Sequence, residues 1–272
     1  MTGWRFADSR SPCLIAGPCV VEADDVMVTV ADRIAQIGRS LGIAVCFKAS
    51  FDKANRSRAG AARGPGLHEG LAALVRVKQA TGLPILTDVH ETGQVAVAAE
   101  VVDVLQVPAF LCRQTDLLLA CGAAGKPVNV KKGQWVDPGG IAGAIEKIRA
   151  GGARPTDVAV TERGTFFGYG DLVVDMRSFG SIRELAGVPV LFDATHSVQR
   201  PGLGLDGASG GVRERVPDLL CAAAAAGADG FFIETHPDPA RALSDRETQW
   251  PLEQLEPLVQ RAVSVWRTAR GL

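Results

Sequence analysis

The segment Ile43-Ala-Val-Cys-Phe-Lys-Ala-Ser-Phe-Asp-Lys-Ala-Asn-Arg-Ser57 passes from an apolar run straight into a cationic stretch that continues through Arg58 and Arg63. The apolar residues read as a short buried strand, and everything from Lys48 onward as the loop at its C-terminal end. Lys48, Lys53, Arg56, Arg58 and Arg63 cannot share a helical face, because Asn55, Ser57, Gly60 and Gly64-Pro-Gly66 interrupt them. A cationic loop at a strand end can receive phosphate or carboxylate groups. A solvated basic loop is the alternative, and the choice rests on how the other strands end.

Apolar strand-like runs recur at residues 13–16, 43–47, 84–89, 104–108, 127–130, 158–160, 189–192 and 230–233. Segments with helical spacing separate most of them, at 24–41, 67–81, 94–101, 115–124, 139–150, 178–186 and 213–226, with 252–269 after the last. Short buried strands alternating with helices imply a parallel sheet, and eight such units in about 250 residues is the count of a (β/α)8 barrel. An open doubly wound sheet is the competitor. Each run, however, ends in polar residues: Gly17-Pro-Cys19, Lys48 to Ser57, Asp88 to Glu91, Gln106 to Arg113, Lys131-Lys132, Glu162-Arg163, Asp193 to His196 and Glu234-Thr-His236. A barrel brings all eight ends to one pocket, whereas an open sheet uses only those beside a switch point. The expected fold is therefore α/β, a TIM barrel, with residues 1–272 as one domain and 1–12 as an N-terminal extension.

Composition sets the limits. With 47% hydrophobic and 22% charged residues, the 272-residue chain has the make-up of a globular protein with a substantial core. The net charge of −1 makes the basic clusters local features, which argues against a nucleic-acid footprint and for a small anionic partner. No apolar run reaches the roughly 18–20 residues of a membrane span. The run from Cys13 to Val21 is better explained by a first strand leading into a helix than by a signal peptide. Six cysteines without a CxxC pair suggest a reducing cytoplasm and no disulfides, with Cys46 and Cys221 in core patterns.

Two sets of residues carry chemistry. Lys48, Lys53, Arg56, Arg113, Lys131, Lys132 and Arg163 lie at or just beyond strand ends, with few carboxylates evident to compensate them. Phosphate is the natural complement, Arg offering a fork and Lys a point charge. Cys19, His196 and Glu234 end the first, seventh and eighth strands, and Asp245 lies in the loop that follows. Those ends are neighbours in a closed barrel, and thiolate, imidazole and carboxylate together suit Zn2+, Fe2+ or Mn2+. Taken singly, each has a structural alternative: a core thiol, a hydrogen-bonded imidazole, a paired carboxylate. Residues 197–211, with five glycines, read as a lid. The GxGxxG match at 202–207 is set aside as a dinucleotide site, since it follows Pro201 and opens no helix.

Gly17-Pro-Cys19, Phe47 to Ser57, Thr87-Asp-Val-His-Glu91, Gln106 to Leu118, Asn129-Val-Lys-Lys-Gly-Gln134, Thr161-Glu-Arg-Gly-Thr165, Phe192 to Gln199 and Ile233 to Pro239 together resemble the 3-deoxy-D-manno-octulosonate 8-phosphate (KDO8P) synthase family. The resemblance implies a homotetrameric TIM barrel of lipopolysaccharide biosynthesis. Such enzymes condense phosphoenolpyruvate with D-arabinose 5-phosphate and water and release inorganic phosphate. It also implies roles: Lys48, Lys53, Lys131 and Arg163 for phosphoenolpyruvate, with Gln106, Pro108, Ala109 and Phe110 beside them. Asn55, Arg56 and Ser57 would hold arabinose 5-phosphate, Gln199 would line the substrate site, and Arg113 would reach an active site across a subunit boundary. Lys53 and His90 are the candidates for proton handling. Cys19, where metal-independent members carry Asn, makes this chain resemble the metal-dependent class, with Cys19, His196, Glu234 and Asp245 as ligands of a divalent ion. The chain departs from the family pattern at Arg58 in place of a second Ser, at Gly170-Asp171 in place of an Asn pair, and at Arg246, where Gly or Ala is common. The nearest rival is the related 3-deoxy-D-arabino-heptulosonate 7-phosphate (DAHP) synthase reaction with erythrose 4-phosphate. Against it stands Asn55 in Lys-Ala-Asn-Arg-Ser.

Overall fold

The structure, a computed structural model, describes residues 4–55, 60–204 and 210–272. The expectations placed on Arg56, Ser57 and Arg58 therefore lie outside the described residues. Eight parallel strands among those described pair in chain order: β1 (Cys13–Gly17), β2 (Val45–Lys48), β3 (Ile85–Asp88), β4 (Val104–Val107), β5 (Val128–Lys131), β6 (Val158–Glu162), β7 (Val190–Asp193) and β8 (Gly230–His236). β8 returns to β1, with Cys13 opposite Gly230 and Gly17 opposite Glu234, so the sheet closes into the expected (β/α)8 barrel. The helices are α1 (Asp24–Leu41), α2 (Leu67–Thr81), α3 (Thr92–Val101), α4 (Thr115–Ala123), α5 (Pro138–Ala150), α6 (Ser178–Ala186), α7 (Val216–Ala225) and α8 (Leu255–Ala269).

Local chemistry sets their limits. α1 and α2 stop at Gly42 and Gly82, whose φ of 64° and 69° lie in the left-handed region that glycine adopts without strain. α3 starts two residues before the expected Gln94, because Glu91 and Gln94 form a reciprocal capping box around Thr92. α5 begins on Asp137, which accepts from the Gly140 N–H at 2.7 Å, followed by Pro138. α7 and α8 were expected from 213 and 252. Single 3-10 turns, Arg213–Arg215 and Leu252–Gln254, occupy those positions, and the α-helices follow them. α8 buries Leu255, Leu258, Val259, Ala262, Val263 and Trp266, a stripe at helical spacing, and the Trp266 indole donates to the Ala228 carbonyl at 2.8 Å.

The two-residue pleat of the strands sorts their side chains. Leu14, Phe47, Val128, Phe192 and Ile233 join the large core that includes buried faces of the helices, while Ile15, Cys46, Leu86, Val104, Leu191 and Phe232 belong to a separate cluster inside the barrel. Phe6, 1% exposed, joins the interior cluster from ahead of β1, packs edge-on against Trp4, and its carbonyl accepts from the Cys13 thiol. Two residues beyond Cys46, Leu86, Val104, Leu191 and Phe232 stand Lys48, Asp88, Gln106, Asp193 and Glu234. Each of these five strands thus fills the barrel floor with an apolar residue and offers a polar one at its C-terminal end. All six cysteines are free; Cys46 is buried, and Cys221 is only half-buried on α7. No helix among the described residues is long and apolar enough to cross a membrane.

Candidate active site

The strand ends open into a cavity of about 1110 Å3 whose walls include Lys48, Lys53, Asp88, His90, Gln106, Lys131, Arg163, Asp193, His196, Gln199 and Asp245. Asn55, Pro108, Ala109 and Phe110 stand on its walls as well, with the Phe110 ring half-exposed and 5.5 Å from that of Trp135. Strands two to seven and the loop after β8 therefore contribute to one pocket, whereas the polar residues ending β1 and β8, Cys19 and Glu234, are buried outside its wall. Arg113 does not join the pocket: it is exposed and outside the cavity wall, and its carbonyl accepts from Lys147.

The expectation that the cations lack carboxylate partners is overturned. Asp88, Asp193, Glu234 and Asp245 are interleaved with them, one at each of several strand ends, and only barrel closure brings them together. Lys48 is 2% exposed and has three acceptors, the Cys19 carbonyl at 2.7 Å, Ser50 Oγ at 2.9 Å and Glu234 Oε1 at 3.4 Å. Its protons are thus committed inside the protein. Lys53 reaches Ser50 Oγ at 3.0 Å, and Ser50 donates in turn to Asp88. Burial pushes the Asp88 carboxyl up, but the His90 hydrogen bond and the charges of Lys48 and Lys53 outweigh it and hold Asp88 well below the usual carboxylate range. Burial likewise pushes the Lys53 ammonium down, and the surrounding Cys19, Glu234, Asp88 and Asp245 outweigh it, leaving the ammonium firmly protonated.

Lys131 behaves differently. Its ammonium contacts Asp193 and lies 3.1 Å from the centroid of the Phe232 ring. Burial drives it down to about 8 despite Asp193. Arg163 donates from Nη2 to Gln199, while its buried Nη1 has no hydrogen-bond partner among the described residues. Gln199 then donates to Asp245 at 2.6 Å. Lys131 and Arg163 are therefore cations with donor capacity left for an anion in the cavity. Their chain neighbours point elsewhere: Lys132 and Glu162, each 1% exposed, face each other at 3.5 Å outside the cavity wall. Lys132 donates to the Val136 and Gly133 carbonyls, and Glu162 accepts from the Arg163 and Gly164 backbone N–H groups. Lys132, grouped with the anion-binding cations in the sequence, is a structural charge.

At the other end of the pocket, ligand atoms of Cys19, Glu234 and Asp245 lie within 4.8 Å of one another. His196 stands beside this triad, its Nε2 3.6 Å from Glu234 Oε2. Its Nδ1 contacts Asp193 at 2.7 Å, which orients the ring and leaves Nε2 toward the triad. Glu234 Oε2 is buried without a hydrogen-bond partner among the described residues. Burial first, and the Glu234 carboxylate second, push the Cys19 thiol well above its ordinary value. A soft thiol, a free imidazole nitrogen, a hydrogen-bond-orphaned carboxylate oxygen and a second carboxylate form a donor set that suits a divalent cation, whose charge would ionise the thiol. The local fold holds the set tightly. Gly17 passes so close to β2 that a Cβ there would lie 1.9 Å from the Lys48 carbonyl oxygen.

Asp88, Asp193 and Ser50 had no assigned role in the sequence reading, although Asp88 and Asp193 belong to the polar strand ends noted there. For the two aspartates the available signal was their register, two residues beyond an interior apolar position. Of the departures from the family pattern, Asp171 accepts from Nε and Nη2 of Arg200 on the segment flanking the cavity. Arg246 stands on the cavity wall with Nε donating to the Ala242 carbonyl at 2.6 Å.

Residues 7–268 match the model of the DAHP synthetase I family. Curated relatives named 2-dehydro-3-deoxyphosphooctonate aldolase span nearly the whole chain. The protein of that name from Syntrophotalea carbinolica is 50% identical, covering 98% of this chain and 95% of its own. That from Cyanothece sp. is 52% identical over 97% and 95% of the two chains, and that from Albidiferax ferrireducens 51% identical over 97% and 94%. The family match and these near-complete alignments place the chain in the DAHP synthetase I family, among its 2-dehydro-3-deoxyphosphooctonate aldolases, the KDO8P synthases.

Proposed function

We propose that the chain condenses phosphoenolpyruvate with D-arabinose 5-phosphate and water to give 3-deoxy-D-manno-octulosonate 8-phosphate and inorganic phosphate. The observation that carries the chemistry is the pair of buried cations with spare donors, Lys131 and Arg163, facing one cavity with Lys53. Phosphoenolpyruvate bears negative charge at both ends. Lys53, Lys131 and Arg163 hold its phosphate and carboxylate, Lys48 adds its charge from beneath, and Gln106 with the Pro108 to Phe110 stretch packs alongside. Charge develops on the departing phosphate as the C–O bond breaks, and these fixed cations stabilise it without reorganising. Asn55 at the cavity mouth, with Arg56, Ser57 and Gln199, holds the aldose phosphate. His90, oriented by Asp88 at 3.0 Å, and Lys53 handle protons at the reacting carbons. Cys19, His196, Glu234 and Asp245 would hold a divalent ion such as Zn2+, Fe2+ or Mn2+, which supplies Lewis-acid orientation of substrate and water. Arg113, exposed on its own subunit, completes the site of a neighbour in a homotetramer.

The rival reading is condensation with erythrose 4-phosphate. The relatives' names favour the eight-carbon product. Phosphate release from phosphoenolpyruvate with arabinose 5-phosphate against erythrose 4-phosphate, each with and without chelator, tests both points. Faster turnover with the four-carbon sugar would overturn the substrate assignment, and indifference to chelator would overturn the metal.

A further inference from the structure

Three backbone segments carry donors at the Cys19 end of the pocket: residues 17–22 after β1, the end of β8, and residues 243–245. Cys19 Sγ and Asp245 Oδ2, 3.0 Å apart, tie the first to the third directly. A second tie lies just outside the donors. The Glu22 side chain, 8% exposed, accepts the Leu243 backbone N–H on Oε1 at 3.1 Å and sets Oε2 3.4 Å from His236 Nε2. His236 closes β8 two residues beyond Glu234, and its Nδ1 accepts the Asp238 N–H at 3.0 Å. That bond assigns the ring proton of neutral His236 to Nε2, the nitrogen facing Glu22. One carboxylate, borne by the first segment, thus hydrogen-bonds the third and stands 3.4 Å, without a hydrogen bond, from the imidazole that closes β8.

The backbone gives this clamp something to resist. Cys19 and Asp245 adopt φ of 53° and 52°, in the left-handed region that non-glycine residues rarely occupy. Such conformations persist where the surroundings over-determine them. Both residues lie on segments that Glu22 holds, and Glu22 and His236 are themselves absent from the cavity wall.

We propose that Glu22 is a positioning residue which, with His236, fixes residues 17–22, the end of β8 and residues 243–245 so that Cys19, Glu234 and Asp245 converge on one cation. The proposal rests on the metal reading given above. The cations that hold phosphoenolpyruvate lie on other strands. They touch the clamped segments through Lys48, bonded to the Cys19 carbonyl and Glu234, and through Gln199, which joins Arg163 to Asp245. A change at Glu22 should therefore reach them more weakly than it reaches the cation site.

The test uses Cd2+ as the probe, because its thiolate bond is read from charge-transfer absorption without any turnover. Glu22→Ala is expected to weaken Cd2+ binding about 10- to 100-fold, the usual effect of losing an outer-shell partner. Glu22→Gln keeps an oxygen for the Leu243 N–H but loses the charge facing His236, and is expected to weaken Cd2+ binding less. Phosphoenolpyruvate affinity measured with chelator present should fall clearly less than Cd2+ affinity in both variants. If Glu22→Ala does not fold, Glu22→Gln decides. Cd2+ affinity within about twofold of the unaltered chain in the folded variants overturns the clamp, as does a parallel fall in phosphoenolpyruvate affinity, which marks general structural damage. Failure of the unaltered chain to bind Cd2+ overturns the metal reading itself, and the clamp with it.

Discussion

Lys131 offers the sharpest handle on substrate binding, because burial brings its ammonium down to about 8, into a range where pH can be varied without unfolding the barrel. The direction follows from linkage. Below about 8 the free protein already carries the ammonium, so an anion binds without proton uptake. Above about 8 binding must recruit one proton, and affinity falls tenfold per pH unit. Between about pH 7 and about pH 9.5 the phosphoenolpyruvate dissociation constant should rise ~30-fold, equivalent to about 2 kcal/mol. Calorimetric titration of phosphoenolpyruvate alone, with chelator in every cell, isolates this effect from the Cys19 end of the pocket. A Lys131→Arg variant keeps a cation that does not titrate in this range and should lose that part of the pH dependence. Constant affinity across the range, or the same fall in Lys131→Arg, would refute the assignment of Lys131 as the titrating phosphoenolpyruvate ligand.

Asp193→Asn leaves Lys131 buried without its carboxylate and His196 without the acceptor that orients it. Urea unfolding at neutral pH should report a loss of about 3–5 kcal/mol, and a loss below about 1 kcal/mol would contradict the pairing. Asp88, Asp193 and Asp245 are each held below the usual carboxylate range: burial opposes this, and neighbouring charges and hydrogen bonds outweigh it. Their folded values lie below the unfolded one of about 3.9, so the stability they contribute is fully present above it and is lost progressively as pH falls from it toward the folded values. The urea midpoint should therefore drop between about pH 6 and about pH 3, and a flat profile would count against these pairings.

The barrel was legible because its two signals are local. Cys46 followed by Lys48, and Leu191 followed by Asp193, each record the pleat and the strand end within three residues. Boundaries were legible where the cap is a single residue, as at Gly42, and were missed where a box or a 3-10 turn sets the start, as at Thr92 and Val216. The chemistry of the cations was legible, but their compensation was not, since Lys131 and Asp193 lie 62 residues apart and Lys48 and Glu234 lie 186 apart. Nor could spacing and charge separate Lys131, which faces the cavity, from Lys132, which does not; only the family resemblance singled out Lys131. That distinction depends on a pleat whose phase no single strand reveals.

The adjacent pairs Lys131-Lys132 and Glu162-Arg163 also constrain how the barrel assembles. In the native alignment Lys131 stands opposite Thr161, so the lysine and arginine enter the lumen while the next lysine and the glutamate meet behind it. Displacing the sixth strand by one residue would turn Glu162 inward and Arg163 outward. The lumen would lose a positive charge and gain a negative one, and Lys132 would be stranded in the wall without a counter-ion. Misaligned forms of this strand pair are thereby penalised by charge as well as by packing. The side chains proposed to hold an anion thus also oppose a one-residue slip of the sixth strand.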